Sequence, residues 1–230
     1  MKIKFCGIRR MEDVAFCNTL KPDYMGMILS EGFRRTVPLE TARKLSESRK
    51  PGIAAVGVFV NASPVQIAEV LRQVPLDVIQ LHGSETAEIV SGVRWHTGLP
   101  VWKAVRVKDA AEIRRAEQLG ADALILEGYV PGQAGGTGVT ANWQLIAEAA
   151  PAQPFFLAGG LTPENVVQAA ETVHTTGVDF SSGIETGGIK DYEKMEQIIR
   201  LIRGGNHGES RKIWNFRRTV CTGNSHECST

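Results

Sequence analysis

The sequence predicts a single α/β domain folded as a closed (β/α)8 barrel of minimal size, followed by an irregular C-terminal tail. Three observations favour this architecture: eight short apolar runs, amphipathic helical stretches between them, and a regular alternation of the two from residue 2 to about residue 203. Strict alternation of strand and helix requires a parallel sheet with right-handed crossovers. A chain of 230 residues, 43% of them hydrophobic, suits one domain of this kind.

The eight apolar runs are the predicted strands. Most are rich in Val, Ile, Leu and Ala, which is typical of strands buried in a parallel sheet. The third run is apolar throughout, whereas a strand with one face in water would alternate, so both of its faces are expected to be buried. In chain order the runs cover residues 2–6, 23–29, 53–60, 77–81, 101–105, 121–127, 154–158 and 177–181.

The segments between the runs are predicted helices, because apolar residues recur on one stripe at helical spacing. The clearest examples are residues 38–49, 64–73 and 193–203. Two helix starts are well marked, since Ser63 and Thr162 each offer an N-cap hydroxyl followed by proline at the first helical position. These two residues therefore predict the starts of the helices that follow the third and seventh strands.

Eight strand–helix pairs also fit an open, doubly wound sheet. Such a nucleotide-binding sheet would normally carry G-x-G-x-x-G after its first strand, but that turn reads Cys6-Gly7-Ile8-Arg9-Arg10. The phosphate-binding pattern G-x-x-x-x-G-K-[ST] is also missing from the sequence. The closed barrel is therefore favoured, with residues 1–203 as the barrel domain.

The last segment of the chain, residues 204–230, is polar and has no apolar period. It follows the eighth predicted helix, where a barrel is already complete, so it is expected to be disordered or foreign to the domain. Two other interpretations stay open for it: a basic-aromatic arm for nucleic acid, and a metal site that uses Cys221 and Cys228.

Charge and cysteine content narrow the class of protein. The formal net charge is +1, which gives no support to nucleic-acid binding. No apolar run approaches the roughly 18–20 residues that span a bilayer, and the four cysteines form no C-x-x-C pair, so a cytoplasmic protein with free thiols is expected. The five histidines lack the spacing of metal ligands, and no metal site is predicted in the barrel.

Candidate site residues lie at the carboxyl ends of the strands, where barrel enzymes place their sites. Glycine-rich turns follow the seventh and eighth strands, at Gly159-Gly160 and at Ser181-Ser182-Gly183. Backbone N–H groups in such turns can approach an anion closely, so the two turns predict a phosphate cradle, the alternative being tight turns alone. Gly136 belongs to a third glycine-rich loop, which could close over the ligand.

Five further side chains near strand ends are candidates for chemistry: Cys6, Arg35, Gln80, His82 and Lys103. Cys6 is either a buried hydrophobe or a functional thiol. His82, close to Gln80, is either a structural histidine or part of the pocket. Lys103 could form a Schiff base or attract an anion, and Arg35 could clamp a carboxylate through two hydrogen bonds.

Seven stretches share the order and spacing of one known family. They are KFCGI (residues 4–8), VGVFVN (56–61), QLHG (80–83), KAVRV (103–107), GGTG (135–138), AGGLTPENV (158–166) and VDFSSGIE (178–185). In these stretches the chain resembles phosphoribosylanthranilate isomerase of tryptophan biosynthesis, a TIM-barrel family. The tail beyond residue 204 matches nothing in the family.

The resemblance implies an Amadori rearrangement, in which N-(5-phosphoribosyl)anthranilate becomes 1-(2-carboxyphenylamino)-1-deoxyribulose 5-phosphate. It implies Cys6 as the general base at C2′, Glu127 as the general acid at the ring oxygen, and Arg35 on the anthranilate carboxylate. The last two loops would hold the phosphate. One acid and one base suffice for this chemistry, so no metal or redox cofactor is expected. The expected partner is a small phosphosugar, not a nucleic acid or a membrane, and a monomer or homodimer is expected.

One departure from the family pattern concerns Glu127, because the sixth strand of the family usually ends in aspartate. The extra methylene either fits the pocket or makes Glu127 a poorer acid, and positional errors near 1 Å can cost about a hundredfold in rate. Asp179, on the eighth predicted strand, is the alternative acid.

Three rival functions stay open. The histidine-pathway aminoaldose isomerase is expected to have an aspartate in place of Cys6 and a glycine-rich phosphate loop after the third strand. That loop reads Val60-Asn61-Ala62-Ser63 here and is not glycine-rich. A carbon–carbon lyase would use Lys103 as a Schiff base. A non-catalytic phosphosugar-binding barrel would bind the ligand without turnover.

Overall fold

The computed structural model describes residues 1–128 and 141–204 of the chain. Eight parallel strands close into one barrel, in which each strand pairs with its neighbours in sequence and the first pairs with the eighth. The strands are β1 (Lys2–Cys6), β2 (Tyr24–Ile28), β3 (Ala54–Phe59), β4 (Val78–Leu81), β5 (Val101–Val107), β6 (Ala123–Gly128), β7 (Phe155–Leu157) and β8 (Gly177–Phe180). The predicted closed barrel is confirmed.

One helix follows each strand and packs on the outside of the barrel. The helices are α1 (Met11–Leu20), α2 (Leu39–Glu47), α3 (Pro64–Gln73), α4 (Ala87–Thr97), α5 (Ala110–Glu117), α6 (Trp143–Ala149), α7 (Val166–Thr172) and α8 (Tyr192–Arg203). Across the two described ranges, no helix has the length and apolar character needed to cross a membrane. An element that the sequence did not predict joins β8 to α8: a 3₁₀ turn at Ser182–Ile184, then a hairpin of β9 (Glu185–Thr186) and β10 (Ile189–Lys190).

Apolar side chains fill two layers, one on each side of the barrel wall. The outer layer packs strand residues such as Phe5 and Ile79 against the helices. The inner layer includes an aromatic cluster at the amino end of the barrel, where the Trp102 ring lies 4.8 Å from Tyr24 and 4.7 Å from Phe156, centroid to centroid. The rings fill that end of the interior, so a site can form only towards the carboxyl ends of the strands.

The two predicted helix starts have different outcomes. Ser63 caps α3 as predicted, since its Oγ accepts a hydrogen bond from the backbone N–H three residues later. The start predicted at Thr162 is wrong, because α7 begins at Val166. The Asn165 side chain accepts a hydrogen bond from the Thr162 N–H at 2.9 Å and donates one to the Gly160 carbonyl at 2.8 Å. Asn165 thus ties the chain to the loop after β7, and the helix starts only beyond this turn.

The predicted strand ends agree with the structure to within two residues. β5 is two residues longer than predicted, because Arg106 and Val107 still pair with Glu127 and Gly128 of β6. This extension carries Arg106 towards the carboxyl end of the barrel. Residues 205–230 lie outside the described residues, so the interpretations of the tail, including Cys221 and Cys228, stay predictions.

Candidate active site

A cavity of about 340 Å³ lies at the carboxyl ends of the barrel strands. It brings together most of the predicted site residues from distant parts of the sequence: Cys6, Arg35, Gln80, His82, Glu127, Gly159, Gly160, Asp179, Ser181, Ser182 and Gly183. Lys103 does not line the cavity, and Gly136 lies outside the described residues.

Cys6 ends β1 and lines the cavity, with only 8% of the residue exposed. It pairs with Gly26 of β2. A Cβ atom at Gly26 would lie 2.9 Å from the Cys6 Sγ and 3.2 Å from the Lys4 Nζ, so a larger residue would push on both side chains. The glycine therefore allows a thiol and an ammonium to occupy the same corner of the site.

Lys4 is a fully buried cation that the sequence analysis missed. Its Nζ donates a hydrogen bond to the Asp179 Oδ2 at 2.7 Å. Burial lowers the pKa of Lys4, but the charges of Asp179 and Cys6 outweigh burial and raise that pKa above its ordinary value. Lys4 therefore stays an ammonium ion. Alternation along β1 could have revealed it, because residues 4 and 6 share one face of the strand.

Glu127 lies in β6 and lines the cavity, with its side chain 9% exposed. Its Oε1 lies 2.9 Å from the His82 Nε2 and 3.4 Å from the Arg106 Nε. Burial raises the pKa of Glu127, but His82 and Arg106 outweigh burial and lower that pKa below its ordinary value. The predicted acid is thus held mainly as a carboxylate between two donors.

Arg35 lines the cavity, but a carboxylate of the protein already binds it. Its Nε donates to the Glu185 Oε1 and its Nη2 to the Glu185 Oε2, each at 2.8 Å. The Lys190 Nζ donates to the same Oε1 at 2.9 Å. Burial raises the pKa of Glu185, but Arg35 and Lys190 outweigh it and lower that pKa to about 2. A ligand carboxylate would therefore use the remaining Nη1 edge of Arg35 or displace Glu185.

The loops after β7 and β8 form one wall of the cavity. Gly159 and Gly160 have φ angles of 79° and 61°, in the left-handed region that favours glycine. A Cβ atom at Gly183 would overlap the Leu161 carbonyl oxygen, so the two loops are in direct backbone contact. Ser182 starts the 3₁₀ turn beside them. Two glycine-rich backbones therefore meet where the sequence predicts a phosphate cradle.

Lys103 faces away from the cavity, contrary to the prediction. Alternate residues of β5 point inward, as Trp102 and Arg106 do, which places Lys103 on the outer side of the wall. Its Nζ lies 3.1 Å from the Glu85 Oε2 and donates to the Gly83 carbonyl at 2.8 Å. Glu85 in turn accepts a hydrogen bond from the Gly83 N–H at 2.9 Å. Lys103 thus stabilises the loop after β4.

The chemical groups of the cavity suit proton transfer on a small anionic ligand. They comprise one thiol, one imidazole and two carboxyl groups, from Cys6, His82, Glu127 and Asp179, beside cations and glycine-rich turns. Within the two described ranges, no three or more His, Cys, Asp or Glu side chains are grouped so that they could hold a metal ion.

Comparison with known sequences points to a family. A sequence profile described as "PRAI: N-(5'phosphoribosyl)anthranilate (PRA) isomerase" matches residues 3–200. The N-(5'-phosphoribosyl)anthranilate isomerase of Acetivibrio thermocellus is 42% identical over 213 residues, covering 90% of this chain and 97% of that protein. The protein of the same name from Pseudomonas aeruginosa is 38% identical over 213 residues, covering 91% of this chain and 99% of that protein.

Solved structures are similar over a comparable share of the chain. The crystal structure of phosphoribosyl anthranilate isomerase from Thermotoga maritima has a TM-score of 0.81 at 32% identity, covering 89% of this chain and 100% of that chain. A phosphoribosyl anthranilate isomerase in complex with reduced 1-(o-carboxyphenylamino)-1-deoxyribulose 5-phosphate has a TM-score of 0.77 at 31% identity, with the same coverage.

Proposed function

The chain belongs to the N-(5′-phosphoribosyl)anthranilate isomerase family, and from this premise we propose that Cys6 is the general base and Glu127 the general acid of an Amadori rearrangement. Family membership makes the protein an isomerase of tryptophan biosynthesis. The observation that carries the assignment of roles is that Cys6 and Glu127, on β1 and β6, line the same cavity. We take N-(5′-phosphoribosyl)anthranilate as the substrate.

The residues that line the cavity support one set of contacts with this substrate. Its phosphate binds the backbone of the loops after β7 and β8, around Gly160 and Gly183. Its anthranilate carboxylate lies near Arg34 and Arg35, which follow β2 and also line the cavity. The ribose, which joins these two anionic ends, then lies next to the thiol of Cys6. The relative solved with a reduced carboxyphenylamino-deoxyribulose phosphate binds a molecule with the same two anionic ends.

The reaction needs one proton on oxygen and the removal of one from carbon. Glu127 donates a proton to the ring oxygen, the C1′–O bond breaks, and the nitrogen lone pair forms an iminium at C1′. Cys6 then removes the C2′ proton, which leaves an enolamine. As the enolamine becomes the ketone, the 2′-hydroxyl loses a proton and C1′ gains one, so the turnover consumes no net proton.

The charges around Cys6 support its role as the base. A cysteine removes a proton from carbon as the thiolate, not as the thiol. Three cations, Lys4, Arg35 and Lys190, lie close enough to Cys6 to interact with its charge.

The test is loss of the anthranilate-type fluorescence of the substrate on addition of purified protein. Positioned proton transfer contributes roughly 10²–10⁴-fold, so Cys6→Ala and Glu127→Gln should each lower kcat by at least about a hundredfold with an unchanged circular dichroism spectrum. Cys17→Ala is the matched control, because Cys17 is buried in α1 and does not line the cavity. A near-wild-type kcat for Cys6→Ala would contradict the assignment of the base.

The rival functions make different predictions in the same assay. A non-catalytic barrel would bind the substrate without loss of fluorescence. The lyase is not supported, because Lys103 lies on the outer side of the barrel wall. A cytoplasmic location and a monomeric or homodimeric state stay predictions.

A further inference from the structure

Among the residues that the structure describes, His82 makes the shortest polar contact of Glu127, and the reaction scheme gives it no role. The residue directly follows β4, and its Nε2 lies 2.9 Å from the Glu127 Oε1. Its Nδ1 lies 3.2 Å from the Gln80 Nε2. All three side chains line the cavity. An imidazole held between an amide and a carboxylate is placed to exchange a proton with that carboxylate.

Glu127 needs such a neighbour if it is the acid. Because His82 and Arg106 lower the pKa of Glu127, its carboxyl group is mostly ionised at neutral pH and has no proton to give. Both donors contact Oε1, and no hydrogen bond from the described part of the chain falls on Oε2, which leaves Oε2 for the substrate. Arg106 cannot supply the proton, since a guanidinium does not deprotonate in proteins. His82 is the neighbour that can.

We propose that the proton which opens the ribose ring is held by the His82–Glu127 pair and passes from His82 through Glu127 to the ring oxygen. This inference rests on the proposed role of Glu127 as the acid. His82 first transfers its Nε2 proton to the Glu127 carboxylate. The neutral carboxyl group then turns and gives this one proton to the ring oxygen as the C1′–O bond breaks, so the pair passes from imidazolium–carboxylate to neutral imidazole–carboxylate. The pair regains one proton by the time the 2′-hydroxyl has lost its own.

Gln80 can serve both states of His82. Donation from the Gln80 Nε2 to Nδ1 fits a neutral imidazole, whereas a half-turn of the amide presents its oxygen to a protonated Nδ1. The Gln80 Oε1 is buried and has no hydrogen-bond partner in the described ranges when Nε2 faces His82. The turned amide gives this oxygen a donor, so a charged His82 satisfies an acceptor that the neutral form leaves unsatisfied.

The other charges that face His82 come from three strands. Glu127 on β6 and Asp179 on β8 are the carboxyl groups whose charges interact with His82. Arg106 on β5 contacts the same carboxylate oxygen and opposes a second positive charge. Gln80 on β4 is neutral.

His82→Gln distinguishes proton supply from a purely electrostatic effect, because the two make opposite predictions. If His82 only adjusts the charge of Glu127, its removal lets that carboxyl keep a proton to higher pH, and kcat at neutral pH rises or holds. If His82 supplies the proton, kcat falls at least about tenfold at unchanged KM, since positioned proton transfer contributes roughly 10²–10⁴-fold. The alkaline limb of kcat against pH then moves to lower pH.

A double variant separates failure of this inference from failure of the proposed function. In a Glu127→Gln background, adding His82→Gln should leave kcat almost unchanged, because both substitutions remove the same proton-transfer step. If the two losses in kcat multiply instead, the relay is overturned. An inactive wild type or a fully active Glu127→Gln would overturn the proposed function itself. His96→Gln is the control, since His96 is exposed on α4 and does not line the cavity.

The wild-type protein offers a measurement that needs no substitution. As pH rises, the ¹⁵N chemical shifts of His82 should show it losing its proton over the same range in which kcat falls on the alkaline side. A His82 that stays neutral throughout the active pH range would overturn the proposal.

Discussion

Replacing Gly26 with alanine tests whether the position of the Cys6 thiol limits the rate. The new Cβ would lie 2.9 Å from the Cys6 Sγ and 3.2 Å from the Lys4 Nζ. Ordinary non-bonded separations of about 3.5–4.0 Å require the sulfur to move by roughly 0.6–1 Å. Lys4 cannot yield instead, because it is fully buried and bound to Asp179 at 2.7 Å.

The expected result for Gly26→Ala is a loss in kcat of about a hundredfold, since displacements near 1 Å at a reacting group cost that much. Overpacking should also lower the free energy of unfolding by about 1–3 kcal/mol. Initial rates of fluorescence loss at saturating substrate give kcat, and thermal unfolding followed by circular dichroism gives the stability.

Gly57→Ala is the matched control on the neighbouring strand. Its Cβ would lie 2.6 Å from the Leu76 Cδ1 and 2.9 Å from the Phe59 Cε2, which is a similar overpacking on the outer side of the wall. Gly57 does not line the cavity, so this variant should lose stability but keep kcat. Equal kcat values for the Gly26 and Gly57 variants would refute the reasoning.

Three further predictions concern the surroundings of the site. The pKa of Glu185, about 2, lies below its ordinary value of 4.5. The stability that its ionised carboxylate gives the folded protein is therefore present above about pH 5 and is lost as pH falls towards 2. Glu185→Gln should therefore be about 2–3 kcal/mol less stable than wild type at neutral pH but equally stable near pH 2 by urea unfolding; a difference independent of pH would contradict this. Lys103→Met leaves the carboxylate of Glu85 buried without its partner and should cost about 3–5 kcal/mol in the same measurement, while borohydride with a carbonyl substrate should leave wild-type Lys103 unmodified. Gly183→Ala forces apart the loops that meet at Leu161, so it should raise KM and weaken competitive inhibition by inorganic phosphate; unchanged values would argue against a phosphate at that wall.

The barrel was predictable because its signals are local. Each strand is a short apolar run, and the cap at Ser63 depends on a residue three positions away. The start predicted at Thr162 failed because Asn165 binds the Gly160 carbonyl, and no propensity of the helix itself reveals that contact. Whether residues 162–165 begin a helix or form a turn is decided by contacts in the tertiary structure.

The site was only partly predictable, since strands buried on both faces hide which side chains point inward. β5 is apolar on both sides, so its sequence does not say whether Lys103 or Arg106 faces the cavity. Trp102 settles the question only once it is seen inside the barrel. The pairing of Glu185 with Arg35 joins residues that lie far apart in sequence, and only the closed barrel brings them together.

The aromatic cluster of Tyr24, Trp102 and Phe156 forms the closed floor of the cavity. Packed rings fill the amino end of the interior, so in the described part of the chain the cavity is reached from the carboxyl ends of the strands. The ketose must therefore leave by the path that the next aldose takes, and the two compete for the same empty site at every cycle.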